Sequence, residues 1–326
     1  MSGLVTIFGG SGFVGRYVAR RMAQAGWRVR VAVRRPNEAI FVRTYGVPGQ
    51  VEPIACNIRD DASVAQALAG ADAAVNCVGI LAEAGANRFE AVHAEGAGRI
   101  ARAAAAAGLG RLVHVSAIGA DPGSPSAYAR SKAAGEAAVR AAFPRAVILR
   151  PSIIFGPEDQ FFNRFAAMTR TSPVLPVVGG TTRFQPVHVD DVAAAAERAI
   201  RTDVAPGVYE LGGPETLSFA ELMRRMLAEI RRRRIVLDLP FWVARPIATV
   251  LDGVQAATLG LFHNGMLTRD QLRNLARDNV VAPDARGLAD LGIAPTPMSA
   301  VLPGYLWRHR PAGQFEALKE SARNLR

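Results

Sequence analysis

Over the first 150 residues, short apolar runs alternate with longer stretches in which apolar residues recur at helical spacing. The apolar runs predict strands at positions 3–8, 28–33, 50–55, 72–77, 111–116 and 145–150. The stretches between them predict helices, among them 88–107 and 125–143. Because such alternation is typical of a parallel sheet covered on both faces, the pattern predicts a doubly wound α/β fold. Ligands of such folds bind beyond the carboxyl ends of the strands.

After residue 151 the pattern loosens, which predicts a small C-terminal lobe. A helix that begins within 155–165 is expected over the mouth of the site, while a strand at 185–189 and a helix at 190–202 return to the core. Residues 208–211 and a helix at 218–230 are predicted to build the lobe. Five prolines predict an extended, irregular tail that wraps a surface, namely Pro283, Pro295, Pro297, Pro303 and Pro311.

The most apolar long stretch of the chain is 239–262. Arg245 and Asp252 lie inside it, and a charge at mid-bilayer costs about 2.5–3.5 kcal/mol, so the stretch is a poor membrane span. Two interpretations stay open: a helix packed on its own lobe, or one lying on a membrane or a membrane protein. Trp242 and the nearby arginines favour the second. The run Arg231–Arg234 is most simply a solvated helix end.

Composition adds limits on the compartment and the partners. The two cysteines, Cys56 and Cys77, predict a reducing compartment, no disulfide framework and no metal site. The formal charge is +11, yet the arginines are spread along the chain and aromatic residues make up only 7%. A nucleic-acid binder would concentrate charge and aromatics, so nucleic acid is not expected as a partner. An anionic membrane or an acidic protein fits the charge better.

A glycine-rich loop follows the first predicted strand and opens a helix. Gly9 permits the tight turn, Gly12 lets backbone approach a pyrophosphate, and Gly15 lets the helix pack on the sheet. The helix N-terminus offers free N–H groups to phosphates. The loop therefore predicts a dinucleotide site that also includes Ser11, Phe13 and Val14, against the alternative of a glycine turn without a ligand.

The ends of the next strands supply further cofactor candidates. Arg34 and Arg35 stand where an NAD site usually carries an acidic residue, so NADP(H) is favoured over NAD(H); the alternative is a solvated basic turn. A loop after the third strand, with Asn57 and Ile58, is placed to flank an adenine. The run Cys77–Gly79, with Val78 at its centre, follows the fourth strand and lets backbone pass beside the cofactor ribose.

Tyr128 and Lys132 share one face of a predicted helix because they are four residues apart. There the ammonium would lower the pKa of the phenol and bind ribose hydroxyls, which makes the pair a candidate acid/base site. Lys132 is one of only two lysines in an arginine-rich chain, which favours a chemical role. The alternative is an ordinary amphipathic helix.

These motifs, together with Asn76-x-x-Gly79, Arg150–Ser152 and Pro186–Val192, resemble the extended or atypical short-chain dehydrogenase/reductases. The resemblance implies a Rossmann domain over 1–230 with lobe segments interleaved from about 151, and adds Ser116, Pro151 and Ile153 to the cofactor contacts. Active members usually carry a Ser-Ser pair after the fifth strand, whereas here Ala117 follows Ser116, and His93 replaces an expected Asn. Ser124 or Ser126 is a possible substitute. The departures imply a cofactor site with weak or absent turnover.

Residues 150–161 and the C-terminal region further resemble the NAD(P)H-binding accessory subunits of respiratory complex I and their bacterial relatives. That resemblance implies a structural NADPH, contacts with other complex I subunits, and a docking lobe with a tail over 231–326 that touches the membrane surface. With no visible transit peptide, we expect a peripheral protein on the cytoplasmic face of a bacterial inner membrane, or on the matrix side if mitochondrial. The alternatives are a free NADP(H)-dependent reductase or epimerase acting on a small carbonyl or sugar-like compound, and a redox-sensing regulator.

Overall fold

The computed structural model describes residues 3–257 and 268–315. Its strands are β1 (Leu4–Phe8), β2 (Arg28–Val33), β3 (Val51–Ala55), β4 (Ala73–Asn76), β5 (Arg111–Val115), β6 (Val147–Pro151), β7 (Ile154–Phe155), β8 (Val174–Val178), β9 (Arg183–Phe184), β10 (Val187–His188), β11 (Gly207–Leu211), β12 (Leu217–Ser218) and β13 (Ile235–Leu239). Its α-helices are α1 (Phe13–Gln24), α2 (Asp61–Leu68), α3 (Gly96–Ala106), α4 (Ala127–Ala142), α5 (Phe162–Met168), α6 (Val189–Arg201), α7 (Phe219–Glu229), α8 (Phe241–Ala257), α9 (Arg269–Leu275) and α10 (Met298–Leu306).

A seven-stranded sheet in the order β11-β6-β5-β4-β1-β2-β3 forms the centre of the molecule. Every pairing in it is parallel, which confirms the predicted doubly wound fold. One apolar core lies under α1 and α6 and includes Met22 and Val192. The other lies under α2, α3 and α4 and includes Leu68, Ile100 and Val139. The six strands predicted before residue 151 are confirmed with shifts of one or two residues at their ends.

The prediction that 208–211 builds the small lobe is wrong. This segment lies in β11, which pairs with β6 at the edge of the central sheet. Tyr209 and Leu211 are buried in the core under α1 and α6. The helix predicted at 190–202 is observed as α6, and it is the crossover that brings the chain back parallel to β6.

The lobe is built around a separate apolar core to which α5, β8, α7 and α10 contribute. Phe162, Leu175, Met223 and Leu302 are fully or almost fully buried in it. The helix expected after residue 155 is α5, whose inner face packs into this core. The arginine run is more than a solvated helix end, because Arg232 and Arg234 donate to the carbonyl oxygens of His309 and Thr169, both at 2.9 Å.

The expectation of an extended tail is wrong where α9 and α10 form. Thr268 and Gln271 make reciprocal side-chain to backbone bonds at the start of α9, a capping box. In α10 the buried residues Met298, Leu302 and Tyr305 follow helical spacing and face the lobe core. Residues 276–297 between the two helices are irregular apart from one short 3₁₀ turn.

The apolar stretch predicted at 239–262 forms α8 up to residue 257, and 258–262 lie outside the described residues. Ala244 and Ala248 are buried against Leu272 of α9. On the opposite face Trp242 is 75% exposed and Val250 is 64% exposed. Within the described ranges, no helix is both long and apolar enough to span a membrane.

Candidate functional site

A cleft of about 550 Å³ opens where the carboxyl ends of β1, β2, β3 and β4 meet. It brings together most of the predicted cofactor residues, namely Gly9, Ser11, Gly12, Arg34, Arg35, Asn57, Ile58, Cys77, Val78 and Gly79. Sequence reasoning missed several lining residues: Ala32, Val33, Glu38, Cys56, Arg59, Ile80, Asn87 and Val92. Of these, the sequence pointed to Cys56 and Arg59, because both lie beside Asn57 and Ile58 in the loop expected to flank the adenine.

The glycine loop has the geometry that a dinucleotide requires. Gly9 has a φ of +72°, and its carbonyl oxygen accepts a hydrogen bond from the Gly12 N–H at 2.9 Å. A Cβ at Gly15 would lie 2.3 Å from that oxygen, so α1 can approach the loop only with glycine at this position. Gly12 is also the N-cap of α1 and has no side chain to bind the N–H groups of the first turn. Those groups suit a pyrophosphate.

Phe13 and Val14 begin α1 beside the cleft rather than lining it. Two other predicted contacts, Pro151 and Ile153, lie at the end of β6 and two residues after it. The Pro151 carbonyl accepts a hydrogen bond from Ile118, and the Ile153 carbonyl accepts one from Val187. Neither belongs to the lining of the cleft.

Arginines line the end of the cleft that follows β2 and β3. The Arg34 guanidinium lies 3.4 Å from Asn87 Oδ1, a weak contact. Arg35 pairs with Glu38 at 3.0 Å, with both side chains more than two-thirds exposed. Arg59 donates to the Ala86 carbonyl at 2.9 Å. The end predicted to hold the adenosine is therefore basic, and its one lining carboxylate is already paired.

Tyr128 and Lys132 lie on α4 just outside the lining of the cleft. The Lys132 ammonium donates to the Val115 carbonyl at 3.3 Å and faces Gly79, where a Cβ would lie 3.4 Å from it. Burial lowers the pKa of Lys132 to about 8, although the negative charge of Glu136 acts to raise it. Burial also raises the pKa of Tyr128 to about 12. The prediction that the ammonium lowers the phenol pKa is therefore wrong in this structure, where burial determines the direction of the shift.

A π-helical turn at Glu90–Glu95 places His93 beneath Tyr128. His93 Nε2 accepts from the Ile80 N–H at 3.0 Å, and Nδ1 donates to Ser131 Oγ, which in turn donates to the Tyr128 carbonyl. Burial and the Lys132 charge lower the pKa of His93 to about 3, so the ring is neutral. His93 therefore holds the loop after β4 against α4. Turns of this kind are frequent at functional sites.

Two buried polar atoms on β5 and just after it have no protein partner among the described residues: His114 Nε2 and Ser116 Oγ. His114 Nδ1 is occupied, because it accepts from Asn76 at 3.1 Å. Buried polar atoms are almost always hydrogen-bonded in native proteins. An unpaired Ser116 hydroxyl beyond β5 therefore fits its predicted role as a cofactor contact.

Ser124 and Ser126, the candidate substitutes for the missing serine, both take part in hydrogen bonds through their hydroxyl oxygens. Ser126 Oγ accepts from the Ala129 N–H at the start of α4 and donates to Asp270 at 2.8 Å. Ser124 Oγ accepts from the Ser126 N–H at 3.2 Å. With a methyl group at Ala117, this loop presents a carbonyl compound with fewer donors than the Ser-Ser pair of active enzymes would.

Comparison with known proteins agrees with this geometry. The profile of the NAD dependent epimerase/dehydratase family matches residues 5–212. The mitochondrial NADH dehydrogenase (ubiquinone) 1 alpha subcomplex subunit 9 of Arabidopsis thaliana is 34% identical over 320 residues, which cover 96% of this chain and 80% of that protein. The ceramide reductase of Caulobacter vibrioides is 38% identical over 224 residues, or 68% and 69% of the two chains.

Among solved structures, that of a dTDP-glucose 4,6-dehydratase from Streptomyces venezuelae with NAD bound superposes with a TM-score of 0.70. It is 22% identical, and the match covers 97% of this chain and 99% of that one. At this identity the match shows a shared fold and nothing further. The glycine loop, the cleft and these matches together show an NAD(P)-binding fold. The chain belongs to the NAD dependent epimerase/dehydratase family.

Proposed function

We propose that the chain is an NADP(H)-binding accessory subunit of a respiratory complex I, in which the nucleotide has a structural role and little or no turnover. The observation that carries the proposal is the similarity to subunit 9, because it runs through 96% of the chain and includes the C-terminal lobe. The similarity to the ceramide reductase covers only 68%. The accessory subunit and the reductase both need the residues of the nucleotide-binding fold, so those residues do not distinguish the two functions.

The residues of the cleft suit NADP(H) better than NAD(H). Arg34, after β2, and Arg59, after β3, both line the cleft, and a 2′-phosphate would lie near the end of β2. Glu38, the carboxylate that would compete for ribose hydroxyls, is paired with Arg35. The first turn of α1 would hold the pyrophosphate, and Lys132 the nicotinamide ribose. A bound nicotinamide supplies hydride chemistry, and the chain's own residues determine whether it is used.

Those residues favour a structural role for the nucleotide. A phenol with a pKa of about 12 is a poor proton donor and acceptor at neutral pH. The loop after β5 has Ala117 where a second serine would stand, and Ser126 is bound to Asp270. Losing one donor where charge develops raises a barrier by about 2.7–4 kcal/mol.

The C-terminal lobe offers a surface for docking to a membrane. The outer face of α8 exposes Trp242 and Val250. A groove of about 620 Å³ beside it is lined by four arginines from α8, α9 and the residues just after α9: Arg245, Arg269, Arg273 and Arg277. An apolar helix face flanked by arginines suits the boundary between headgroups and acyl chains of an anionic bilayer. This arrangement supports a peripheral position on the cytoplasmic face of a bacterial inner membrane, beside other complex I subunits.

The test is separation of native membranes from the source under mild detergent, followed by mass spectrometry of the band that contains this chain. The proposal expects the chain to migrate with NADH:quinone oxidoreductase activity and with other subunits of that enzyme. A chain found only as a soluble monomer or homodimer, apart from that activity, would overturn the proposal.

A second candidate is a free NADP(H)-dependent reductase, which the identity of 38% to a ceramide reductase favours. This candidate predicts that the purified chain oxidises NADPH with a carbonyl compound and that Tyr128→Phe abolishes the reaction. Under the accessory-subunit proposal, Tyr128→Phe leaves assembly of the complex unchanged.

A further inference from the structure

Residues 269–281, here called the tail segment, cross the carboxyl ends of β5 and β6. Asn279 accepts from the Ser152 hydroxyl at 2.7 Å through Oδ1 and donates to the Ile118 carbonyl at 3.3 Å through Nδ2. Its backbone also accepts from Gln185 and donates to Arg183, at 3.2 and 2.8 Å. One residue of the tail segment thus ties together the two strand ends next to the nucleotide cleft. In open α/β sheets this edge is where ligands bind.

Asp270 binds the start of α4, the helix that carries Tyr128 and Lys132. Its carboxylate accepts from the Ala127 N–H at 2.7 Å, the Tyr128 N–H at 3.1 Å and the Ser126 hydroxyl at 2.8 Å. The first N–H groups of a helix have no partner within the helix and carry partial positive charge, so a carboxylate is their best ligand. A residue distant in sequence therefore caps this helix.

Two arginines of the tail segment bind the loop that joins β5 to α4. Arg273 donates to the Pro125 carbonyl at 3.2 Å, and Arg277 pairs with Asp121 at 3.3 Å. Both are largely exposed and contribute little energy by themselves. Together with Asp270 and Asn279 they bind the tail segment to this loop at several points along its length.

Asp270 also connects this loop to the exposed helix of the lobe. The preceding residue, Arg269, donates to Asp252 of α8 through its backbone N–H at 3.1 Å and its Nε at 3.3 Å. Two neighbouring residues at the start of α9 therefore connect two helices: Arg269 is hydrogen-bonded to α8, and Asp270 is hydrogen-bonded to the start of α4. Lys132 lies one helical turn beyond Tyr128 on that same helix.

We propose that the tail segment strengthens nucleotide binding and that Asp270 is a positioning residue for it. By capping α4, Asp270 fixes Tyr128 and Lys132 against the cleft. This inference rests on the proposed function, because it takes NADP(H) as the ligand. The two equilibria are linked. If the docked segment strengthens NADPH binding, NADPH must stabilise docking of the segment by the same factor.

The test combines NADPH titration by fluorescence with amide hydrogen exchange on the full chain. Asp270→Asn keeps the shape but replaces an acceptor oxygen with a donor, and it should weaken NADPH binding at least about fivefold, the lower end of usual coupling. Asp284→Asn, an exposed carboxylate just beyond the segment, should change the affinity less than about twofold. In the wild type, NADPH should slow exchange in residues 269–281, and in Asp270→Asn it should not.

A purely structural cap would lower the melting temperature of Asp270→Asn and leave its NADPH affinity unchanged, which would overturn the inference. If that variant does not fold, exchange in the wild type decides alone: NADPH binding that leaves residues 269–281 unaffected overturns it. A wild-type chain that binds no NADPH would instead remove the proposed function, and this inference with it.

Discussion

At the scale of single residues, some residues of the cleft can be predicted from a local sequence pattern, whereas others come together only in the folded chain. Gly9, Arg34 and Gly79 follow strands in the chain, so the sequence alone placed them at one sheet edge, and the structure agrees. Asn87 comes from the loop after β4 and approaches Arg34 through a turn that no simple pattern encodes. The raised pKa of Tyr128 could not be predicted from the sequence either, because it depends on how deeply the folded site buries the phenol.

Arg34→Ser tests the preference for NADP(H). A charge-assisted hydrogen bond contributes about 1.5–3 kcal/mol, so NADPH affinity should fall by roughly ten- to one-hundred-fold. NADH affinity should change less than about threefold, because NADH lacks the 2′-phosphate. Arg28→Ser removes the same charge from the exposed start of β2 and is the control. Equal weakening of both nucleotides, measured by calorimetry, would refute the 2′-phosphate assignment.

Lys132 gives nucleotide binding a pH dependence. Its pKa of about 8 means that the side chain is charged below pH 8 and loses its proton as the pH rises above that value. Because a cation attracts the anionic nucleotide, NADPH affinity should fall above pH 8, by up to about tenfold per pH unit. Titrations between pH 7 and 10 should show this fall in the wild type and not in Lys132→Met. The same slope in both proteins would exclude Lys132 as its source.

At the scale of elements, strands β1 to β6 were predictable because each is a short apolar run bounded by polar residues. Helices α9 and α10 were not predictable, because the five prolines of the tail suggest an irregular chain. Pro303 lies inside α10, where an interior proline costs about 3 kcal/mol. Burying Met298, Leu302 and Leu306 contributes about 1.5–3 kcal/mol each, so tertiary packing outweighs the local penalty. Only the structure supplies that comparison.

Gly15→Ala tests the close approach of α1 to the glycine loop. The added methyl group would collide with the Gly9 carbonyl oxygen, so we expect a loss of about 1–3 kcal/mol in unfolding free energy and weaker NADPH binding. Gly304→Ala in α10 is the matched control, because a Cβ there meets no atom within 4 Å. That variant should be neutral or up to about 1 kcal/mol more stable. Wild-type stability and affinity in Gly15→Ala would contradict the geometry.

At the scale of the whole molecule, the tail segment connects the central sheet domain with the C-terminal lobe. The sequence indicated both parts, but it assigned 208–211 to the lobe, whereas β11 completes the central sheet. That error has a physical source: an edge strand and a lobe strand carry the same local pattern, and only the parallel pairing with β6 distinguishes them. The lobe thus lacks one predicted strand, and its helix α8 exposes Trp242 and Val250.

Trp242→Ser tests that surface. Burying a large apolar side chain contributes about 1.5–3 kcal/mol, so binding to vesicles of phosphatidylglycerol and phosphatidylcholine should weaken at least about tenfold. The fold should be unaffected, because Trp242 is 75% exposed. Leu81→Ser removes a similarly exposed apolar side chain near the cleft and should bind vesicles normally. If Trp242→Ser binds vesicles as tightly as the wild type, the outer face of α8 is not the membrane contact.

The most direct test of the central claim is the nucleotide content of the native assembly. The chain should be purified within its membrane complex, extracted with base to preserve NADPH, and assayed by enzymatic cycling before and after turnover with NADH and a quinone. We predict about one NADP(H) per chain, retained through purification and with its redox state unchanged by turnover. A complex without NADP(H), or one whose NADPH is oxidised during turnover, would contradict a structural nucleotide.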